Sequence, residues 1–367
     1  MNPPNFSMSD GVEVVKQFSA LAPDARAFLE DAETRCYEFG ADWFANLADT
    51  VYDNHPNLRF YVLREQGRVV ALFPMRAEIA GMGTQLHSFG NFYTTLYEPL
   101  LAQQSGAAAI ARILTTARKE LSRLSLVQIT PMDRDAPAYR ALLDGMKLAG
   151  LRPFEYFAFG NWYQPVCASW TEYLAGRTGT LRSTIKRMTK KFDADGGSLE
   201  LITAPADLER GISAYERVYA GSWKQAEPFP KFIPGLMRTC ANKGNLRLAV
   251  AWLNGQAIAA QLWIVAHGRA EIYKVAYDEA FKAYAPGTLL TALLMKHAIE
   301  VDKVAEVDYL IGDDPYKKTW MSHRRERWGV IAYNPRTLSG LFGWMRELAG
   351  RALKAARVRY AALASQP

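Results

Sequence analysis

The chain has 367 residues, 49% hydrophobic and 12% aromatic, which is enough for two ordinary domains with their own cores and excludes a disordered polymer. Its formal net charge of +7 suits anionic partners, whether phosphate-bearing small molecules, RNA or an anionic membrane surface, without choosing among them. Cys36, Cys167 and Cys240 are too few and too scattered for a disulfide framework or a zinc ribbon, and no metal is expected. The N-terminus lacks a basic region leading into an apolar core, and no apolar run reaches the ~18 residues of a membrane span, so a cytoplasmic protein is expected.

In chain order, residues 22–54 read as one or two helices with Phe28, Cys36, Trp43, Phe44 and Leu47 as candidate core. Residues 57–63 and 68–75 form a hairpin around Gln66-Gly67. A strand at 84–89, a helix at 107–124, a strand at 126–130 and a helix at 138–149 complete a first half. Between them, Phe89 to Tyr97 is an aromatic, hydroxyl-rich loop. It reads either as packed structure with satisfied hydroxyls or as an acceptor pocket built from Asn91, Tyr93, Thr94 and Tyr97.

A connecting strand at 151–166 leads to a helix at 177–192, apolar at Leu181, Ile185, Met188 and Phe192. Its other face carries Arg182, Lys186, Arg187, Lys190 and Lys191 without a carboxylate to pair them, which is either a solvated face or an anion site. Helices at 205–224 and 232–242 follow, the first opened by Pro205 and ending at Trp223-Lys224, near where an acceptor could enter.

The densest signal begins at Asn245. A β-branched and aromatic run reaches Leu253, Asn254-Gly255 is a strong hairpin turn, and strands at 256–266 and 271–277 complete a meander. After a turn at Pro286-Gly287 comes a helix with Leu289, Leu290, Leu293, Leu294 and His297 on one side, then a strand at 305–311 ending at Gly312-Asp313-Asp314. Asn57-Leu58-Arg59 aligns without gaps on Asn245-Leu246-Arg247, and the same offset pairs Val62 with Val250, Gly67 with Gly255 and Ala71 with Ala259. Hairpins share turn residues, so two unrelated hairpins are the alternative to an internal repeat.

From Leu338 the tail reads as one more helix. Leu338, Leu341, Phe342, Met345, Leu348, Leu353, Ala356 and Tyr360 form its apolar stripe, opposite Arg346, Arg351, Lys354, Arg357 and Arg359. Such a helix lies at a membrane interface or docks on the second domain with its basic face in water; Gly340, Gly343 and Gly350 weaken it as an independent helix. Zinc-protease, paired-cysteine and nucleophile-elbow motifs are absent.

Tyr-Ala-Pro-Gly-Thr-Leu-Leu at 284–290, followed by Val-Asp-Tyr-Leu-Ile-Gly-Asp-Asp-Pro-Tyr-Lys-Lys-Thr-Trp at 307–320, resembles the CelD-like branch of the GNAT acyltransferases, which is related to the Fem peptidyltransferases. The resemblance covers roughly 170–335. The usual Q/R-x-x-G-x-G/A phosphate loop is absent, and Lys282-Ala-Tyr-Ala-Pro-Gly287 stands in its place.

The resemblance implies an α/β (α+β) fold of tandem GNAT-like domains, each a mixed, mostly antiparallel sheet flanked by helices. The expected boundaries are 1–160, 161–335 as the catalytic domain, and 336–367 as a basic amphipathic helix. It implies direct transfer from acyl-CoA to a primary amine, with an oxyanion held by a strand N–H and the pyrophosphate on the helix opening at Gly287-Thr288. On that reading Lys282, Tyr284, Gly287, Thr288 and Lys317 hold the coenzyme, and Trp223 joins Asn91, Tyr93, Thr94 and Tyr97 on the acceptor.

An attacking amine must be neutral, which calls for a base or a water held by one. Asp313 and Asp314 are candidates because adjacent carboxylates can raise one pKa, although Gly-Asp-Asp-Pro is also an ordinary turn. Tyr316 and His323 complete the candidate catalytic set. Some CelD-like proteins are bacterial ceramide synthases, so a long-chain amino alcohol is one implied acceptor, and the tail would then place the protein at the inner membrane surface. A Fem-like transferase using aminoacyl-tRNA and a non-catalytic envelope polysaccharide assembly factor are the alternatives. The first commonly carries a coiled coil that has no heptad run here.

Overall fold

The computed structural model describes residues 10–166 and 169–364, with side chains as far as Arg357; Cys167 and the side chains of Arg359 and Tyr360 lie outside the described residues. The first elements are β1 (Gly11–Val15), α1 (Pro23–Glu33), α2 (Ala41–Thr50), β2 (Leu58–Glu65), β3 (Arg68–Ala80) and β4 (Gly83–Ser88). Next come β5 (Leu100–Leu101), α3 (Ala107–Glu120), β6 (Leu124–Asp133), α4 (Pro137–Leu148), β7 (Arg152–Pro165), α5 (Trp170–Ala175) and α6 (Gly179–Ala194). Then follow β8 (Gly197–Ile202), α7 (Leu208–Ala220), α8 (Phe232–Asn242), β9 (Leu246–Leu253), β10 (Gln256–Ala266) and β11 (Arg269–Tyr277). The last are α9 (Pro286–Glu300), β12 (Glu306–Ile311), α10 (Lys317–Trp320), β13 (His323–Tyr333) and α11 (Leu338–Ala364).

Contacts divide the chain into two compact units, one of Met1–Ala32, Asn54–Ala158 and Arg327–Pro367, the other of Glu33–Asp53 and Phe159–Glu326. These boundaries differ from simple cuts near 160 and 335, because neither unit is continuous in sequence. The chain passes from one to the other inside β7 and again inside β13. Residues 33–53 belong with the later unit for a packing reason: Trp43 meets Phe232 edge-on at 5.5 Å and the Asn46 side-chain amide donates to the Phe232 carbonyl at 3.1 Å.

In the first unit β1, β2, β3 and β4 run antiparallel in that order, β4 pairs with β6 in parallel, and β6 pairs antiparallel with β13. Leu63, Phe73, Ile110, Leu114, Ile129 and Leu142 belong to its core. In the second unit β8, β9, β10 and β11 form an antiparallel meander, β11 pairs with β12 in parallel, and β12 pairs antiparallel with β7. Its core joins Ile258, Trp263, Leu290, Met295, Val307 and Phe192. Strands buried on both faces, such as β2 and β10, read as near-continuous apolar runs.

The two hairpins share one construction. Glu65 faces Arg68 and Leu253 faces Gln256, across turns whose residues Gln66-Gly67 and Asn254-Gly255 all adopt positive φ. Each hairpin then shifts register at the equivalent place: Val70 is skipped between the Arg64–Val69 and Leu63–Ala71 pairs, and Ile258 between the Trp252–Ala257 and Ala251–Ala259 pairs. A bulge conserved in position is a stronger sign of repetition than turn residues alone, because it is set by packing along the strand.

Candidate active site

The parallel pair in the second unit is short. Arg269, Ala270 and Glu271 of β11 lie opposite Glu306, Val307 and Asp308 of β12, and beyond that the strands diverge. Leu310 adopts φ +53°, an uncommon conformation for a branched residue, and its N–H donates to Asp308 at 2.7 Å. Asp308, almost fully buried, also accepts from Asn161 and Arg325; Asn161 donates to the Leu310 carbonyl at 2.9 Å and accepts from Arg325 at 2.6 Å. Below the bend Lys317, only 3% exposed, donates to the carbonyls of Tyr309, Ile311 and Gly312. Together these contacts turn β12 away from β11.

The divergence opens a cavity of about 370 Å³. Val275, Ala276 and Tyr277 of β11 form one wall and Tyr309 the other. Gly287, Thr288 and Thr291 bring in the first turns of α9, while Leu181, Trp223, Tyr316, Thr319 and Trp320 extend the lining. Gln261 sits at the back, where its side-chain amide donates to the Gly287 carbonyl and the Thr291 hydroxyl, each at 2.9 Å, and its oxygen accepts the Trp263 indole N–H at 3.0 Å. That bridge fixes the start of α9 on β10.

The N-terminal turn of α9 therefore faces the cavity; Pro286 has no N–H, and those of Ala285 and Thr288 donate to the Lys282 and Ala285 carbonyls at 3.0 and 2.9 Å, so the group this helix start offers is the Gly287 N–H, with the positive end of the helix dipole behind it. The residue before it, Ala285, has φ +49°, and the segment from Glu279 to Tyr284 is a single 3₁₀ stretch. Within that stretch Tyr284 donates to Asp195 at 2.9 Å and lies under the Lys191 ammonium, tying it to α6. Lys282 is exposed and does not line the cavity.

Among the described residues that line the cavity, none is a carboxylate, histidine, lysine or cysteine; the polar groups are phenols, hydroxyls, an amide and two indoles. Burial, aided by the Asp314 carboxylate, pushes the Tyr316 phenol up to about 12, and burial likewise raises Tyr309, whose ring Tyr316 meets edge-on at 5.6 Å. Both stay protonated near neutral pH, so each keeps an O–H to donate and neither acts as a base.

Several expected site residues are placed elsewhere by their partners. Asp313 receives two hydrogen bonds from Arg324, each at 2.7 Å, and one from the Trp162 indole at 3.0 Å. The Arg324 guanidinium holds its carboxyl below the usual carboxylate range, the opposite of what a base requires, so the expectation from adjacent carboxylates is corrected. Asp314 points to Lys317 at 3.5 Å and lines no part of the cavity. Lys317 is committed to backbone carbonyls, not to a coenzyme, and burial draws its pKa down. His323 is exposed at the start of β13, its ring 5.4 Å from Tyr163.

In the first unit Tyr93, Thr94 and Tyr97 are buried. The Tyr97 hydroxyl donates to the Pro74 carbonyl at 2.7 Å, Thr94 accepts from the Asn91 N–H, and Asn91 accepts from the Tyr93 N–H. The packed-loop reading describes them, and the cavity contains none of the four. By contrast Gly287, Thr288, Tyr316 and Trp223 come together in it, with the Trp223 ring 4.6 Å from that of Tyr277.

Beside Trp223, Lys224 was not anticipated as a site residue. Burial and then the nearby Lys274 ammonium draw it down to about 8, while Glu227 pairs with Lys274 at 2.7 Å. Gln261, Thr291 and Tyr309 were also missed; the one sequence signal was a lone glutamine inside the apolar run of β10.

The sheet, its short parallel pair and the helix start facing the gap have the layout of a GNAT domain, and residues 179–318 match the family model described as an acetyltransferase (GNAT) domain. The fold extends over more of the chain than that match. A crystal structure of FemX superposes with a TM-score of 0.61 at 12% identity, covering 88% of this chain and 98% of that one. The C-terminal domain of a putative lysylphosphatidylglycerol synthetase from Agrobacterium fabrum superposes with a TM-score of 0.53 at 14% identity, covering 84% and 92%. The L-PGS structure from Bacillus licheniformis does so with a TM-score of 0.50 at 14% identity, covering 84% and 96%. At such identities these likenesses concern the fold. No curated protein matches the sequence.

Proposed function

We propose that the second unit transfers an acyl group from acyl-CoA to a primary amine, with a long-chain amino alcohol as the acceptor the site suits best. The observation that carries this is the divergence of β11 from β12 above the start of α9. Successive strand residues address opposite neighbours, so beyond Glu271 every second N–H of β11 faces the gap left by β12. A thioester laid along that gap meets an N–H positioned for its oxyanion, and its pyrophosphate meets the N-terminus of α9. The exposed cations of α6, beside Leu181 on the cavity wall, suit the remaining phosphate.

The amine nitrogen bonds the acyl carbon, the carbon–sulfur bond breaks, and the thiolate leaves to take up a proton. Tyr316 is a protonated donor on the cavity wall for that sulfur. With no carboxylate or histidine in the lining, the amine loses its proton to solvent, and turnover rises with pH until the amine is neutral. The aromatic wall of Trp223, Tyr277, Tyr309 and Trp320 favours an alkyl chain over a polar acceptor.

A second reading, aminoacyl transfer from tRNA, is favoured by the FemX superposition over most of the chain and by the α6 cations. One assay separates the two. Thiol release is followed with acetyl-CoA and palmitoyl-CoA against sphinganine and small amines, in parallel with transfer from aminoacyl-tRNA. Palmitoyl-CoA turnover that depends on sphinganine supports the first reading. Absence of thiol release and of CoA binding overturns it, and transfer from aminoacyl-tRNA replaces it.

A further inference from the structure

On α11 the pattern of burial inverts what its sequence suggests. The face that meets the first unit approaches through glycines, with Trp344 and Arg351 beside them: Gly340 lies so close to the Asn334 carbonyl, and Gly343 to the Tyr333 ring, that a Cβ at either would collide, while Arg152 covers the Trp344 ring and Arg351 donates to the Glu155 carbonyl at 2.8 Å. Leu338, Phe342, Met345 and Leu353, spaced on the opposite side of the helix at ~100° per residue, are 81%, 68%, 59% and 62% exposed. Exposed apolar side chains in one row on a helix already docked by its other face mark a surface for something else.

A second element supplies the same kind of side chain at the same place. Ile79 and Met82, at the tip of the β3–β4 hairpin, are 90% and 72% exposed. A Cβ at Gly83 would lie 2.8 Å from the Ser339 hydroxyl and 3.1 Å from the Arg123 carbonyl, so this tip abuts the first turn of α11 with Arg123 alongside. Hairpin tip and helix start are thus neighbours, and both expose large apolar side chains. On the helix Arg346 and Arg357 line one edge of the row with Lys354 further round, while Arg351 turns to the first unit, donating to the Glu155 carbonyl at 2.8 Å and pairing with Glu347, the one carboxylate among the described side chains of the helix, at 2.8 Å.

We propose that this patch is a docking surface for an anionic lipid bilayer, with Ile79, Met82, Leu338, Phe342 and Met345 entering the headgroup–acyl boundary and the surrounding cations meeting lipid phosphates. The charge decides the occupant. A second copy of the chain would set two such arginine-rich faces against each other, whereas an anionic bilayer neutralises them and buries the apolar row. The surface belongs to the first unit, and its occupancy is independent of the acyl-transfer reading.

The full-length protein is sedimented with vesicles of phosphatidylcholine alone and with added phosphatidylglycerol, without any acyl donor, at low and high salt. Binding is expected to the anionic vesicles, to weaken with salt, and to fall about tenfold or more in Leu338→Asp/Phe342→Asp and, separately, in Ile79→Asp/Met82→Asp. Arg346→Glu/Arg357→Glu is expected to remove the anionic preference, and circular dichroism checks that each variant is folded. Equal binding to both vesicle types, wild-type binding by both apolar variants, or sedimentation as a dimer dispersed by Phe342→Asp without vesicle binding would each overturn the proposal. Thiol release with a water-soluble amine, unchanged in these variants, keeps a failure of docking distinct from a failure of acyl transfer.

Discussion

The β2–β3 and β9–β10 hairpins share turn, register and bulge, yet the parallel pairs that follow them end differently. In the first unit β4 pairs with β6 from Thr84 to His87, nearly its whole length, and Ser88 carries the closure on by donating to the Thr130 carbonyl at 2.8 Å and accepting its N–H at 3.2 Å. Phe89 then plugs the end and Tyr97 packs behind it, both buried. In the second unit pairing stops after three residues of a nine-residue strand, because Asp308, Asn161, Arg325 and Lys317 hold β12 in its bend. A cavity arises where a repeated fold is kept from zipping shut, and the groups that prevent it are buried polar ones.

The sharpest way to break this contrast is Asp308→Ala, which leaves the Leu310 N–H without its acceptor and takes from Arg325 one of its partners, Glu306 and Asn161 remaining. It is expected to cost about 1–3 kcal/mol in denaturant unfolding and to abolish thiol release. Tyr316→Phe leaves the gap open but removes its donor; a fall in kcat of about 10- to 100-fold at unchanged melting temperature is expected. Lys224→Met acts through pH. The folded pKa is depressed to about 8, so the folded chain disfavours the charged form and stability rises as pH increases from there towards the ordinary lysine value. Removing the amine should raise stability at neutral pH by on the order of 1–2 kcal/mol, reduced by partial solvent screening, and flatten that rise in thermal melts.

On the zipped side, Tyr97→Phe removes one of two donors to the Pro74 carbonyl, the Phe89 N–H at 3.0 Å remaining, and should cost about 1 kcal/mol with no change in turnover. Loss of turnover there would show that the first unit takes part in the chemistry. Smallest of all, Asp313→Asn keeps a hydrogen-bond acceptor for Arg324 and should alter kcat by less than about threefold, against the ~10²-fold or more expected for a general base.

Much of this was legible in the residues. Asn254-Gly255, the β-branched and aromatic runs around it and the glycine turn at 286–287 located the strands and the helix that build the cavity; Trp223 lines it too, although α7 stops at Ala220 and does not reach Trp223-Lys224 as expected. What sequence could not show is which partner each polar group would take. Asp313 looked like a base until Arg324, eleven positions on, closed on it; Lys317 looked like a phosphate ligand, but three carbonyls claim it. Gln261 belongs to no motif. The α11 stripe was read as lying at a membrane interface or docking on the second domain; the helix belongs instead with the first unit, which it approaches through Gly340 and Gly343.

Neither unit is a continuous stretch of chain, and that sets a schedule for its synthesis. The second unit needs residues 33–53 to wait for Phe159–Glu326, and the first lacks strand β13 until translation has passed Tyr333. The nascent chain must therefore carry the apolar edges of β6 and the early core unfinished while most of the protein emerges, a high contact order that slows folding and exposes the intermediate to aggregation. A ribosome stalled before residue 327 would hold a first half that cannot close, however complete it looks on paper.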